Sequence, residues 1–132
     1  MSVVYALATP AARSAICVFR VSGEGCLDML SVLFGDVSIP PRVFSVRPFY
    51  NSGVLVDTVG VLVFSGGKSY TGEDSFEVHA HGGLGVMSLI IETFDSVGFE
   101  EAAPGEFTKR AFLNNKIDLN EAESVLDVID SA

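Results

Sequence analysis

The sequence predicts an α+β domain with a mixed or antiparallel sheet of five or six strands and helices packed on it. Three observations predict it. First, short apolar and β-branched runs punctuated by Gly, Pro, Asn and Ser fill the first 80 residues. Second, the clearest helical periodicity, about Leu84 to Val97, follows these runs, with two further helices after it. Third, 132 residues with 48% hydrophobic content make one domain large enough to bury a core.

Taken in order, Val3 to Leu7 reads as a strand halted by Ala8-Thr-Pro10, and Ala15 to Val21 as a second. After the turn Ser22-Gly-Glu-Gly25, Cys26, Leu27, Leu30 and Leu33-Phe34 recur at helical spacing up to Gly35. Pro40-Pro41 breaks the chain. Val43 to Phe49 is the next strand, Asn51-Ser-Gly53 a turn, and Val54 to Phe64 a largely buried strand interrupted by Gly60. A Ser65-Gly-Gly-Lys68 loop precedes the strand from Phe76 to Ala80. The clearest helix spans about Leu84 to Val97, with Val86, Met87, Ile90, Ile91, Phe94 and Val97 on one face and Gly98 as terminator. A short helix after Pro104-Gly105 should turn Phe107, Ala111 and Phe112 inward. A last helix opens at Asp118, which pairs with Glu121 as a capping box. Its stripe of Leu119, Ala122, Leu126 and Ile129, with Val125 beside it, needs a surface to cover it. That surface belongs either to its own domain or to a continuation or second subunit.

Composition excludes several functions. With 17 acidic against 8 basic residues the chain carries a formal charge of −9, which repels phosphate backbones, so this chain alone is not expected to bind tRNA or other nucleic acid. No apolar run approaches the roughly 18 residues of a membrane helix, and no basic segment followed by an apolar run marks a signal peptide. Cys17 and Cys26 lack a partner pair at metal-site spacing and read as small buried hydrophobes, in keeping with a cytoplasmic setting.

Two stretches are too polar and too ordered for packing alone. In the first, Ser69-Tyr-Thr-Gly-Glu-Asp-Ser-Phe-Glu-Val-His-Ala-His-Gly-Gly83, the alternation puts Glu77, His79 and His81 on one face of a strand. Such a face suits a divalent metal or hydrogen-bonded structural histidines. Without a further convergent ligand the structural reading stands and no metal is expected. Glu77 has a second possible use, since an ionised carboxylate accepts two parallel hydrogen bonds from an amino-pyrimidinone edge. His81-Gly-Gly-Leu-Gly85 leads into the best helix but matches no phosphate-binding loop pattern. The second stretch, Pro104 to Leu119, holds Lys109, Arg110 and Lys116, which with Arg20 are half of the chain's cations. They suit the carboxylates of an acidic ligand, or ion pairs with Glu106 and Asp118. No nucleophile–base–acid order is present, so no catalytic residue is assigned.

These motifs together resemble a known family. Ala6-Leu-Ala-Thr-Pro10, Arg13-Ser-Ala-Ile16, Phe19-Arg-Val-Ser-Gly23, Ser69-Tyr-Thr-Gly-Glu-Asp74, His81-Gly-Gly83, Pro104-Gly-Glu-Phe-Thr-Lys-Arg-Ala-Phe-Leu-Asn114 and Lys116-Ile-Asp-Leu-Asn-Glu-Ala-Glu123 resemble, in order, the N-terminal domain of the MnmE (TrmE) tRNA modification GTPases. Ala12 and Ser14 stand where that family usually has glycine, and Glu100 lies near a usual arginine. The resemblance implies a fold like the tetrahydrofolate-binding domain of aminomethyltransferases. It implies a homodimer that binds a 5-formyl-tetrahydrofolate-type donor, with Arg20, Glu77 and Lys116 as folate contacts. It also implies action with MnmG to build the 5-carboxymethylaminomethyl-type modification of wobble uridine in tRNA. Residues 1–117 would form the folate domain and 118–132 the first helix of a helical domain. GTP, Mg and K would be bound only by the full-length protein, because this chain carries no GTPase motif. Two other functions fit the same residues less completely: a stand-alone aminomethyltransferase-like enzyme, and a dimerisation scaffold without ligand.

Overall fold

The computed structural model describes residues 2–9, 15–35 and 38–131, with side chains described as far as residue 126. Pro10, Ala12, Arg13 and Ser14 lie outside the described residues, as do the side chains of the outer part of the last helical stripe, including that of Ile129. Six strands form one sheet: β1 (Val4–Leu7), β2 (Ile16–Ser22), β3 (Ser45–Asn51), β4 (Val54–Phe64), β5 (Ser75–His81) and β6 (Glu100–Glu101). The spatial order is β3-β4-β5-β2-β1-β6. Every pairing is antiparallel except that of β1 with β6, so the sheet is mixed. Four helices complete the α+β fold: α1 (Leu30–Phe34), α2 (Leu84–Ser96), α3 (Glu106–Leu113) and α4 (Leu119–Ser131).

Period-2 alternation puts Cys17, Phe19 and Val21 of β2, Val59, Val61 and Val63 of β4 and Phe76, Val78 and Ala80 of β5 on the inner face, all buried. α1 and α2 cover that face. The centre is aromatic. Phe94 of α2 lies 5.3–6.4 Å, centroid to centroid, from Tyr5, Phe19, Phe49, Phe76 and Phe99. α2 buries Met87, Ile90, Thr93 and Phe94, whereas Ile91, expected on the inner face, is exposed. Thr93 is tolerated inside because its hydroxyl donates to the Leu89 carbonyl one turn back.

Two expectations about β4 are corrected. The strand runs unbroken through Gly60, and in its first half Val54, Leu55 and Thr58 are exposed and Val56 and Asp57 only partly buried. Gly60 does not interrupt it. The glycine leaves room for the Phe44 ring, whose Cζ an added Cβ would overlap. Ser52 and Gly53, both with positive φ, join β3 to β4 in a two-residue hairpin loop. β3 is an edge strand that carries Pro48 and a register shift between Phe49 and Tyr50.

On the outer face α3 covers one end of the sheet. It buries Thr108, Arg110 and Ala111, while Phe112, expected inside, is 36% exposed. The expected capping box opens α4: Asp118 N–H donates to Glu121 and Glu121 N–H to Asp118 at 2.7 Å. α4 lays Leu126 over Gly105 at the start of α3 and buries Ala122, while Leu119 and Val125 remain exposed. No helix among the described residues is long and apolar enough to cross a membrane.

Candidate functional site

The site is built on the outer face, where strand register fixes its members. Leu62, Glu77 and Arg20 are cross-strand partners on β4, β5 and β2, and Phe64, Ser75 and Ser22 form the next row. Tyr70, Thr71 and Phe107 rise over these rows. Together they enclose a cavity of about 360 Å³ lined by Arg20, Ser22, Phe64, Tyr70, Ser75, Glu77 and Phe107 among others. Its volume lies in the range of small-molecule pockets, and its walls are aromatic with one carboxylate and one guanidinium.

Glu77 is partly buried and holds both oxygens in hydrogen bonds. Oε2 accepts Arg20 Nε–H at 3.1 Å, and Oε1 lies 3.1 Å from His79 Nε2. An ionised carboxylate only accepts, so the His79 Nε2 must carry the proton. Each oxygen retains a free lone pair, so Glu77 can still accept two further hydrogen bonds.

Lys116 is exposed and stands apart. Its ammonium donates to the Gly67 carbonyl at 2.6 Å, and its stem lies along Gly72. The sequence pairs Glu77 with Lys116 across the two polar stretches. The structure joins the same stretches through other residues. Arg110 is 2% exposed and forms ion pairs with Glu73 at 3.1 Å and Glu106 at 2.8 Å, and its Nη1 also donates to the Ser22 carbonyl. Ser22 Oγ reaches Glu73 at 2.9 Å and Thr71 at 2.7 Å, Tyr70 OH meets Thr108, and Asn114 donates to the Thr71 carbonyl. This network fixes the segment 69–73 that roofs the cavity. The basic cluster of Lys109, Arg110 and Lys116 is therefore not one patch, because Arg110 is turned into the protein. The i,i+4 spacing of Glu106 and Arg110 was the available signal.

The histidines do not converge on a metal, and no group of three metal-ligating side chains occurs among the described residues. His81 instead sets its Nδ1 2.9 Å from Asp57, whose carboxylate also accepts the His81 and Thr58 backbone N–H groups. Cys17 and Cys26 are free and buried, and burial, with Asp74 and Glu73 nearby, pushes the Cys26 thiol up to about 12.

Two carboxylates give the fold an acid limit. Burial alone would raise Asp57 and Glu106, but hydrogen bonds outweigh it. The His81 backbone and ring with Thr58 N–H hold Asp57 below its usual 3.8, and Ala103 N–H with Arg110 holds Glu106 below 4.5. A depressed pKa contributes stability that is complete above the unfolded value and lost as pH falls through the folded one. Thermal melts should therefore give a constant Tm between about pH 5.5 and 7 and a falling one below about pH 4.5. Glu106→Gln should flatten part of that acid limb. An unchanged acid limb would contradict the assignment.

Comparison with known proteins gives a consistent picture. The family model described as GTP-binding protein TrmE N-terminus matches residues 3–116. The chain is 49% identical over 129 residues to the tRNA modification GTPase MnmE of Maricaulis maris, covering 97% of this chain and 30% of that protein. It is 45% identical over 133 residues to that of Gluconacetobacter diazotrophicus, with the same coverages. It is 42% identical over 132 residues to that of Neorickettsia sennetsu, covering 99% of this chain and 24% of that protein. The chain thus spans about a quarter to a third of the length of the curated relatives it matches.

Proposed function

The chain belongs to the family of TrmE N-terminal domains, and from that premise we propose that it is the folate-binding, dimerising module of a tRNA modification GTPase. Its ligand is a reduced one-carbon folate of the 5-formyl-tetrahydrofolate type. The observation that carries this reading is the pairing of Glu77 and Arg20 in a cavity walled by Phe64, Tyr70 and Phe107. A pterin head is flat and presents adjacent N–H donors, and a carboxylate with two unused lone pairs among aromatic walls fits it. Arg20, 57% exposed, is free to turn toward carbonyl or tail oxygens. Lys116 meets the glutamate tail once it leaves the Gly67 carbonyl, a neutral partner that a carboxylate outcompetes.

Dimerisation has its own support. Phe44 and Val46 near the start of β3, and Val54 and Leu55 at the start of β4, are apolar and each more than half exposed. In the whole protein, acting in the cytoplasm with MnmG, this module supplies the one-carbon donor for wobble-uridine modification. GTP hydrolysis belongs to the rest of the relatives' length.

The test is titration with 5-formyl-tetrahydrofolate by calorimetry. Wild type should bind, and Glu77→Gln should weaken binding by about tenfold or more, the scale of a hydrogen bond to a charged group. Unchanged affinity in Glu77→Gln removes Glu77 from ring reading. A wild type that dimerises but does not bind supports a scaffold instead.

A further inference from the structure

The two histidines of β5 turn different ring nitrogens to a carboxylate, His79 its Nε2 to Glu77 and His81 its Nδ1 to Asp57. Ionised Glu77 requires the proton on His79 Nε2, and ionised Asp57 requires it on His81 Nδ1. His79 is the one joined to the folate candidate. Its ring is braced by Phe44, which meets it edge-to-face at 5.4 Å and 82°, and its register partners are Val18 of β2 and Gly60 of β4. Phe44 reaches that position only because it lies over Gly60 without a Cβ beneath it.

We propose that His79 is a positioning residue for Glu77. It holds Oε1 while Arg20 holds Oε2, so that the carboxylate plane is fixed before the ligand arrives. Arg20 is exposed and able to swing, whereas His79 is only 27% exposed and braced. The fixed half of the Glu77 orientation therefore comes from His79, and Phe44 over Gly60 maintains it. Pre-setting the carboxylate avoids the ordering cost on binding. The role rests on the folate reading above.

The experiment compares His79→Leu and His79→Gln with wild type and Glu77→Gln in 5-formyl-tetrahydrofolate titrations, with Tm recorded for each. Imidazole ¹⁵N shifts are read on the ligand-free wild type. His79→Leu keeps the bulk but removes the donor and should weaken binding by about tenfold. His79→Gln keeps an N–H donor and should stay within about threefold of wild type. The ¹⁵N shifts should report the Nε2–H tautomer for His79 and the Nδ1–H tautomer for His81. If wild type binds and Glu77→Gln loses affinity while His79→Leu does not, the His79 role is overturned and the folate reading survives. Equal losses in His79→Leu and His79→Gln that track a fall in Tm also overturn it, since the ring would then serve packing. If wild type does not bind, the folate reading fails and this role fails with it. An Nδ1–H tautomer at His79 overturns the role by itself.

Discussion

Arg110→Ala should destabilise the domain by about 3–5 kcal/mol, the cost of removing one partner from a buried ion-pair network. The guanidinium is almost wholly buried and spans two carboxylates and a carbonyl, and Glu73 beside it is itself only 12% exposed. Deleting it leaves Glu73 and Glu106 facing each other across a cavity without a counter-charge. Both would be driven toward protonation, so the loss should be larger at pH 8 than at pH 5. Arg110→Lys keeps the charge but cannot fork between two carboxylates, and should recover only part of the stability. Urea unfolding monitored by circular dichroism checks this, with the slope compared between variants to ensure that midpoints report stability. A midpoint within about 0.2 M of wild type for Arg110→Ala would show that water replaces the guanidinium at little cost. The loss should also be felt in the cavity roof, because Glu73 anchors the segment bearing Tyr70 and Thr71.

Phe94→Ala should cost a similar 3–5 kcal/mol, near the upper end, for a different reason. The ring is fully buried and touches five other aromatic rings drawn from β1, β2, β3, β5 and the segment before β6. Its removal opens a cavity that rings on a rigid sheet cannot close by small shifts. Phe94→Leu fills much of the volume and should cost less, by loss of the edge-to-face contacts alone. Chemical denaturation separates the two, and an alanine variant as stable as the leucine variant would mean that the core collapses around the gap.

The sequence revealed the elements whose pattern is local. Five strands announced themselves by β-branched runs, α2 by its 3.6-residue period, and the start of α4 by the Asp118–Glu121 reciprocity. β6 was not legible because Glu100-Glu101 has no hydrophobic signature. It pairs through its backbone, with Glu100 N–H donating to the Val3 carbonyl. Gly60 was misread as a break because its reason, the Phe44 ring, lies 16 residues away in the chain and beside it only in the sheet. The inner face of α3 was only partly legible for a related cause: Ala111 is buried as expected, but the helix turns Arg110 rather than Phe112 inward, a choice justified by Glu73 from a distant turn. At the site, Arg20 and Glu77 were named by resemblance, and register then put them opposite each other. Glu77 and His79 share a strand face by alternation, but that the carboxylate turns Oε1 to the ring is decided by side-chain rotamers that no local pattern encodes.

The two margins of the sheet constrain how this domain can meet anything. On one side β3 offers a backbone rim that lacks an amide donor at Pro48 and is kinked at Phe49/Tyr50. On the other, β6 is two residues long and doubly acidic. Neither rim is a good template for another strand, so the sheet resists being lengthened by a second chain, including the runaway stacking of aggregates. Contacts with other molecules are thereby directed onto side chains rather than backbone rims, and the exposed apolar side chains of the β3–β4 hairpin carry little hazard of fibre growth.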